Sequence, residues 1–370
     1  MNKPLDFPLV AQQEVLPLVP PPLPREFPKV VELANQERLE SDVRSYPRRF
    51  PIAIKRAQGA VVEDTLGQTY LDCLAGAGAL ALGHNHPEVV HAMVENLYAG
   101  LPQQTLDITT PAKDAFMQEL MGFLPAGFAS ESCIQFCGPS GADAVEAAIK
   151  LAKQYTGRNN IVSFHGAYHG MTNGSLALMG NLGAKQRRTG LMADVHFFPF
   201  PYNLRCKFGQ GGEAGEQASI RYIESVLHDQ ESGIVKPAAI IVEPIQGEGG
   251  VLPASVMWLR ELRRITRELD ILLILDEIQC GMGRSGRHLL SNTRRWCPMS
   301  SFCQRRSVAG CLCPAWSSRS ASTRGTPVST RARSAVTRLP WSLAPRPCRS
   351  FSAINWHFMH RAWAHCYKGG

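Results

Sequence analysis

The sequence predicts an α/β fold with a mostly parallel sheet, on three observations. The runs "IVSF" (Ile161–Phe164), "AAIIVEP" (Ala238–Pro244) and "ILLILDE" (Ile271–Glu277) are short, continuous and apolar, as strands buried on both faces must be. "CIQFC" (Cys133–Cys137) reads the same way. Segments with apolar residues at helical spacing lie between them. Strands alternating with such helices require crossovers, and crossovers within one sheet are right-handed and leave the strands parallel. The chain carries no internal repeat.

Taken in chain order, the first 30 residues hold eight prolines. Proline removes amide donors and favours extended backbone, so residues 1–33 are expected to form an arm. In "CGPSGADAVEAAIKLAKQY" (Cys137–Tyr155) a strand ends, Gly138 and Gly141 permit a tight turn, and Ser140 with Asp143 makes a helix start signal. Val145, Ala148, Ile149 and Ala152 then share one helix face. In "SVMWLRELRRITREL" (Ser255–Leu269), Val256, Leu259, Leu262, Ile265 and Leu269 do the same.

A length of 370 residues at 44% hydrophobic content suffices for one large core or two. Charge is divided unevenly along it. Residues 287–370 hold 13 Arg, one Lys and no acidic residue, leaving 25 basic against 31 acidic residues before them. The sequence pI near 9.0 therefore belongs to the tail. Six of the 11 cysteines and five of the six tryptophans also follow Gly286. The five earlier cysteines have no CxxC spacing and read as reduced thiols. No charged segment leads into an apolar one at the start, and no apolar run reaches the roughly 18 residues of a membrane span. A cytoplasmic protein without membrane contact is expected.

Four stretches carry chemistry. At the start of the helix after Cys137, the free amides of Gly141 and Ala142 suit a phosphate, although a capped turn without a ligand is as common. In "SFHGAYHG" (Ser163–Gly170) an aromatic in a glycine-flanked loop suits stacking on a flat ring, with His169 placed to hydrogen-bond nearby; two structural histidines in an ordinary loop are the plainer account. Zinc has no Cys or acidic partner at ligand spacing. In "ILLILDEIQCGMGRSG", Asp276 follows five apolar residues and so stands at the carboxyl end of a buried strand, where open α/β sheets bind ligands. A lone buried carboxylate costs several kcal/mol, roughly, and a protonated cofactor nitrogen is one partner that compensates. Gln279 offers an amide beside it. A magnesium site is the other reading of a strand ending in Asp-Glu, but no phosphate-binding G-x-x-x-x-G-K-[ST] loop accompanies it. "IIVEPIQGEGG" puts Glu243 at another strand end, facing either a substrate amine or a basic neighbour.

These stretches, with "YLDCLAGAGALALGHNHP" before them, resemble the class III aminotransferases in motif and in order over roughly residues 35–286. The resemblance implies the type I fold of the pyridoxal 5′-phosphate (PLP) dependent transferases, a doubly wound, mostly parallel sheet with a smaller second domain, here incomplete, with residues 34–95 contributing to the smaller domain and 96–286 forming the larger one. It implies that Asp276 binds the pyridinium nitrogen, Gln279 approaches the ring hydroxyl, Tyr168 stacks on the ring with His169 beside it, and Ser140, Gly141 and Ala142 hold the phosphate. Glu243, Gly76 and Gly78 are expected toward the substrate. Amino acid and oxo acid substrates and a homodimer follow from the same resemblance. Within the class, "ERLESDVRSYPRRFP" with "LAGAGALALGHNHP" is similar to the diaminobutyrate–2-oxoglutarate transaminases, with acetylornithine and 4-aminobutyrate types as runners-up.

One departure is large. The class uses a lysine that forms a Schiff base with PLP, in a segment like Ser-Lys-Ala-x-Gly-Gly-Gly downstream of "GMGRSG". No lysine occurs between Lys236 and Lys368. The genetic code supplies an explanation. If each triplet takes the third base of one codon and the first two of the next, codons for Cys303–Ser318 permit Ser-Lys-Ala-Ile-Gly-Gly-Gly-Leu-Pro-Leu-Pro-Gly-Met-Val-Val. The same offset from Ser291 permits Gln-His-Ala and then Val-Val-Pro-Asp-Val-Val-Val-Leu, and from Arg331 to Trp341 it permits Gly-Thr-Phe-Arg-Gly-Asn-Gln-Ile-Ala-Met. Residues 287–370 thus read as an enzyme out of frame after a slip near codons 286–290, inactive as written and not natively folded. An Arg/Ser-rich arm that binds nucleic acid through phosphates is the competing reading.

Overall fold

The computed structural model describes residues 30–41, 50–102, 108–124, 126–130, 132–186, 188–286 and 289, with the backbone of 300–302 and 312–314. Residues 1–29 of the arm expected over residues 1–33, and most of the tail, lie outside the described residues, while residues 31–33 belong to a helix. Helix α1 (Val31–Leu39) comes first, followed by an antiparallel meander of β1 (Ile54–Gln58), β2 (Val61–Asp64) and β3 (Thr69–Leu71). After it, Ala75, Gly76, Ala77 and Gly78 all take positive φ, from 49° to 86°. The Gly78 amide donates to the Leu74 carbonyl and the Leu80 amide to that of Ala75, so this is a short left-handed turn. Two of its four residues carry a Cβ that disfavours the conformation.

Helices α2 (Pro87–Tyr98), α3 (Pro111–Gly122) and α4 (Ala126–Ala129) lead to β4 (Ser132–Ile134). The expected buried strand Cys133–Cys137 is corrected here: only Ser132–Ile134 is strand, and Cys133 is exposed. Its pairing is antiparallel, so it stands apart from the parallel sheet. Its apolar letters turn instead toward α3, where Phe116 and Phe136 lie 6.2 Å apart between ring centroids.

Helix α5 (Gly141–Thr156) follows, capped as the sequence predicts. Ser140 Oγ accepts from the Asp143 amide at 3.3 Å, and Asp143 accepts from the Ser140 amide at 3.0 Å. Then come β5 (Ile161–Phe164), the short helices α6 (Asn173–Ala177) and α7 (Leu182–Lys185), β6 (Val195–Phe198), α8 (Gly212–His228) and β7 (Ala239–Val242). A two-residue ribbon of β8 (Ile245–Gln246) and β9 (Leu252–Pro253), helix α9 (Val256–Glu268) and β10 (Leu272–Asp276) complete the well-matched part. Among the described residues of the tail are two strands, β11 (Ser300–Phe302) and β12 (Leu312–Pro314), the latter paired with β4.

The main sheet runs β11-β10-β7-β5-β6 and every pairing in it is parallel. Alternate residues of its strands go to opposite cores. Val162, Phe164, Ile240, Val242, Leu273 and Leu275 pack with Trp258, Leu259, Leu262 and Ile265 of α9 and with α8. Ile161, Ala239, Ile241 and Ile274 pack on the other side against Val145, Ala148, Ile149 and Ala152 of α5. Burial on both faces explains why these strands read as unbroken apolar runs. Trp258, fully buried and absent from the predicted α9 face, satisfies its ring N–H on Ser219 Oγ at 3.1 Å.

Strand order reverses after β6: the chain crosses back over β5 to lay down β7 and then β10. Crevices at such reversals, outside the carboxyl ends of the strands, are where doubly wound sheets bind ligands. Period-two alternation puts Glu243, just past β7, and Asp276, the last residue of β10, on the α5 side of that edge.

Candidate functional site

A cavity of about 390 Å³ opens at this edge, lined by Ser140, Gly141 and Ala142 of the α5 start, Tyr168 and His169 of the loop after β5, and Glu243, Asp276 and Gln279 among others. All seven residues expected to contact the cofactor therefore meet at one place. The sequence reading missed Met171, Thr172 and Ile278, which also line it; each is a loop residue without a chemical signature of its own. Gly76 and Gly78 are not among the lining residues, but Gly78 lies against them. A Cβ there would come 3.7 Å from Gln279 Cγ, and the Gly78 carbonyl accepts from Arg284 at 3.3 Å.

The floor is a buried pair. His169 Nδ1 lies 2.7 Å from Asp276 Oδ2, and the two residues are 2% and 3% exposed. Burial alone would disfavour a charged imidazole. The hydrogen bond to Asp276, that residue's charge and the charge of Glu243 outweigh it and move the His169 pKa up. The second oxygen of Asp276 accepts from the Ile278 amide at 3.0 Å. His169 Nε2 is buried with no hydrogen-bond partner among the described residues. That is an unfilled requirement at the base of the cavity.

Glu243 lies close to both, 4% exposed. Its Oε2 accepts from the Tyr168 amide at 3.0 Å and its Oε1 from the Gly247 amide at 3.3 Å. Burial, with the Asp276 charge acting in the same direction, pushes its pKa up to about 7 against the opposing pull of His169 and the two amides. Neighbouring Cys280 is buried among acidic groups, which moves its thiol well above the ordinary value and makes it an inert core group.

Close approach shapes the walls. Gly170 has φ +125°, and a Cβ on it would sit 2.6 Å from Ala142 Cβ, so the loop bearing Tyr168 and His169 docks directly on the start of α5. A Cβ on Gly247 would come 1.8 Å from Gln279 Oε1, so the turn after β7 is flush with the Gln279 amide. A helix start with free amides, a paired carboxylate on the floor, an aromatic on the wall and an amide at the rim match the needs of a small, flat, phosphorylated heteroaromatic group. Among the described residues, none that lines it is a lysine.

The family model described as Aminotransferase class-III matches residues 44–293. The chain belongs to the class-III aminotransferases. It is 59% identical over 254 residues to the diaminobutyrate–2-oxoglutarate aminotransferase of Rhizobium meliloti (strain 1021), covering 69% of this chain and 54% of that protein. The enzyme of the same name from Haemophilus influenzae is 56% identical over 255 residues, 69% of this chain and 56% of the relative. The chain thus spans about half the length of the curated relatives it matches. Among solved structures, an amine transaminase from an uncultivated Pseudomonas species in a PLP-bound form superposes with a TM-score of 0.64 at 28% identity, covering 75% of this chain and 64% of that one. An (S)-enantioselective omega-transaminase from Thermomicrobium roseum has a TM-score of 0.72 at 22% identity over 93% of this chain and 76% of its own, a likeness of fold. The α/β fold expected of a class-III aminotransferase is therefore the fold observed.

Proposed function

We propose that the cavity takes pyridoxal 5′-phosphate and that the intact form of this protein moves the terminal amino group between L-2,4-diaminobutyrate and 2-oxoglutarate. The observation that carries this reading is the 59% identity over 254 residues to an aminotransferase so named. In it, the amides of Gly141 and Ala142 with the Ser140 hydroxyl receive the phosphate at the positive end of α5. Asp276 pairs with a protonated ring nitrogen, and His169 holds the Asp276 carboxylate in the orientation for it. Tyr168 covers the ring face and Gln279 lies beside the ring hydroxyl. Bound there, the cofactor supplies an electron sink for the carbon that carries the amine. Gly76 and Gly78 border the approach of the amino and oxo acids. A cytoplasmic homodimer belongs to the same reading.

The residues after 286 are part of the proposal. The family match ends at residue 293, next to the inferred slip. Strand β11, Ser300–Phe302, stands on the codons that regroup to Val-Val-Val-Leu, letters suited to a strand inside a parallel sheet. Both support a tail translated out of frame, and the chain as it stands is expected to catalyse no transamination. Resequencing codons 280–310 in the gene and its message tests the frame: confirmed bases with no slip overturn that part. The frame-restored protein is then assayed with diaminobutyrate, 4-aminobutyrate and acetylornithine as donors to 2-oxoglutarate. Preference for either of the last two would refute the substrate assignment.

A further inference from the structure

Tyr168 and His169 are consecutive, yet each is held from a different strand. The His169 ring is bonded to Asp276 at the end of β10, 107 residues away. The Tyr168 amide is bonded to Glu243 just past β7, 75 residues away, and β7 is the strand between β5 and β10. Glu243 also holds the Gly247 amide, in the turn whose backbone leaves no room beside the Gln279 side chain. One buried carboxylate therefore fixes, through two backbone amides, the wall that carries the aromatic ring and the turn that backs the rim amide. A buried carboxylate is expensive unless its lone pairs are satisfied, and here both oxygens are spent on main-chain donors.

We propose that Glu243 is a positioning residue for the cofactor ring rather than a substrate ligand: it sets where Tyr168 stands over the cavity by anchoring the loop after β5 to the end of β7. This inference rests on the cavity taking the PLP ring. Tyr168 and Glu243 then act as one device, and removing either removes the same contribution.

The test uses the full 370-residue chain and pyridoxamine 5′-phosphate, the aminated cofactor, whose binding needs no lysine link. Affinity is measured by equilibrium dialysis, and ring orientation by the induced circular dichroism of the bound cofactor. Tyr168→Ala is expected to weaken binding by about tenfold or more, the scale of one aromatic stacking contact. Glu243→Gln, which can accept from only one of the two amides, is expected to weaken it several-fold and to change the induced signal. The double variant should bind no worse than Tyr168→Ala alone, within about twofold. Multiplying effects would mean that Glu243 meets the ligand on its own account, overturning the inference. An unchanged induced signal in Glu243→Gln would do the same. Glu243→Met serves as a second probe, of similar shape and without an acceptor, and failure of both variants to fold would reassign Glu243 to the fold alone. If the parent chain shows no saturable binding, the cofactor reading falls and this inference with it; saturable binding with multiplying effects overturns the inference alone.

Discussion

Folding stability should fall as pH rises from about 5 to 8, and Glu243 should be a main cause. In the folded chain its carboxyl keeps its proton up to about 7, against 4.5 in an open chain. Between those values the folded state binds more protons than the unfolded one, so raising the pH draws the equilibrium toward unfolding. The contribution is complete below the unfolded value and lost as pH passes the folded one. A displacement of this size corresponds to about 3 kcal/mol, a large share of the ~5–15 kcal/mol that holds a domain together. His169, whose pKa is also raised, acts with the same sign: its share is present below the unfolded value and fades as pH climbs through the folded one. Glu243→Gln isolates the first part. The variant loses one amide bond, an offset of about 1–2 kcal/mol that does not depend on pH. Urea unfolding of both proteins at pH 5, 6, 7 and 8, followed by far-ultraviolet circular dichroism, should therefore show the variant gaining on the parent by about 3 kcal/mol across the series. Two curves that stay parallel within about 0.5 kcal/mol would refute the argument, because Glu243 would then ionise alike in both states.

Three other outcomes follow from the same geometry. Asp276→Ala strands His169 in a buried site without its partner, and should cost about 3–5 kcal/mol of stability and return the His169 titration, followed by nuclear magnetic resonance, below its parent value. Ser140→Ala removes the acceptor for the Asp143 amide at the start of α5 and should cost about 1 kcal/mol in urea unfolding, together with weaker binding of inorganic phosphate. Gly170→Ala drives a methyl against Ala142 at a φ of +125° and should cost about 1–3 kcal/mol, read as a lower thermal midpoint.

The main sheet was legible because its physics is local and repeated. Strands β5, β7 and β10 are covered on both faces, so their letters run apolar without a break, and the α5 cap is a four-residue signal that needs no distant partner. Cys133–Cys137 looked identical but lies off the main sheet, and apolarity alone cannot say which neighbour covers a segment. Strand β6, "VHFF", escaped notice because only Phe198 is fully buried in it. The site was readable as positions and not as pairs. Asp276 announced itself by ending an apolar strand, whereas its bond to His169 depends on β5 and β10 both flanking β7, an order no short stretch encodes. Glu243 offered a choice between a substrate amine and a basic neighbour, and the structure gives its oxygens two backbone amides, groups the sequence cannot show.

The left-handed turn at residues 75–78 has a mechanical consequence. A glycine at Ala75 or Ala77 would relax φ, but it would also multiply the shapes open to the segment before it folds. Two methyl groups there exchange a small standing strain for stiffness. The turn that carries Gly78 up to Gln279 and Arg284 is thus a rigid bracket behind the rim, whereas the described residues that line the cavity belong to the start of α5 and to the ends of the parallel strands with the loops that follow them. Any twist of the meander relative to that sheet would reach the cavity rim as movement of the bracket, with little give along the way to absorb it.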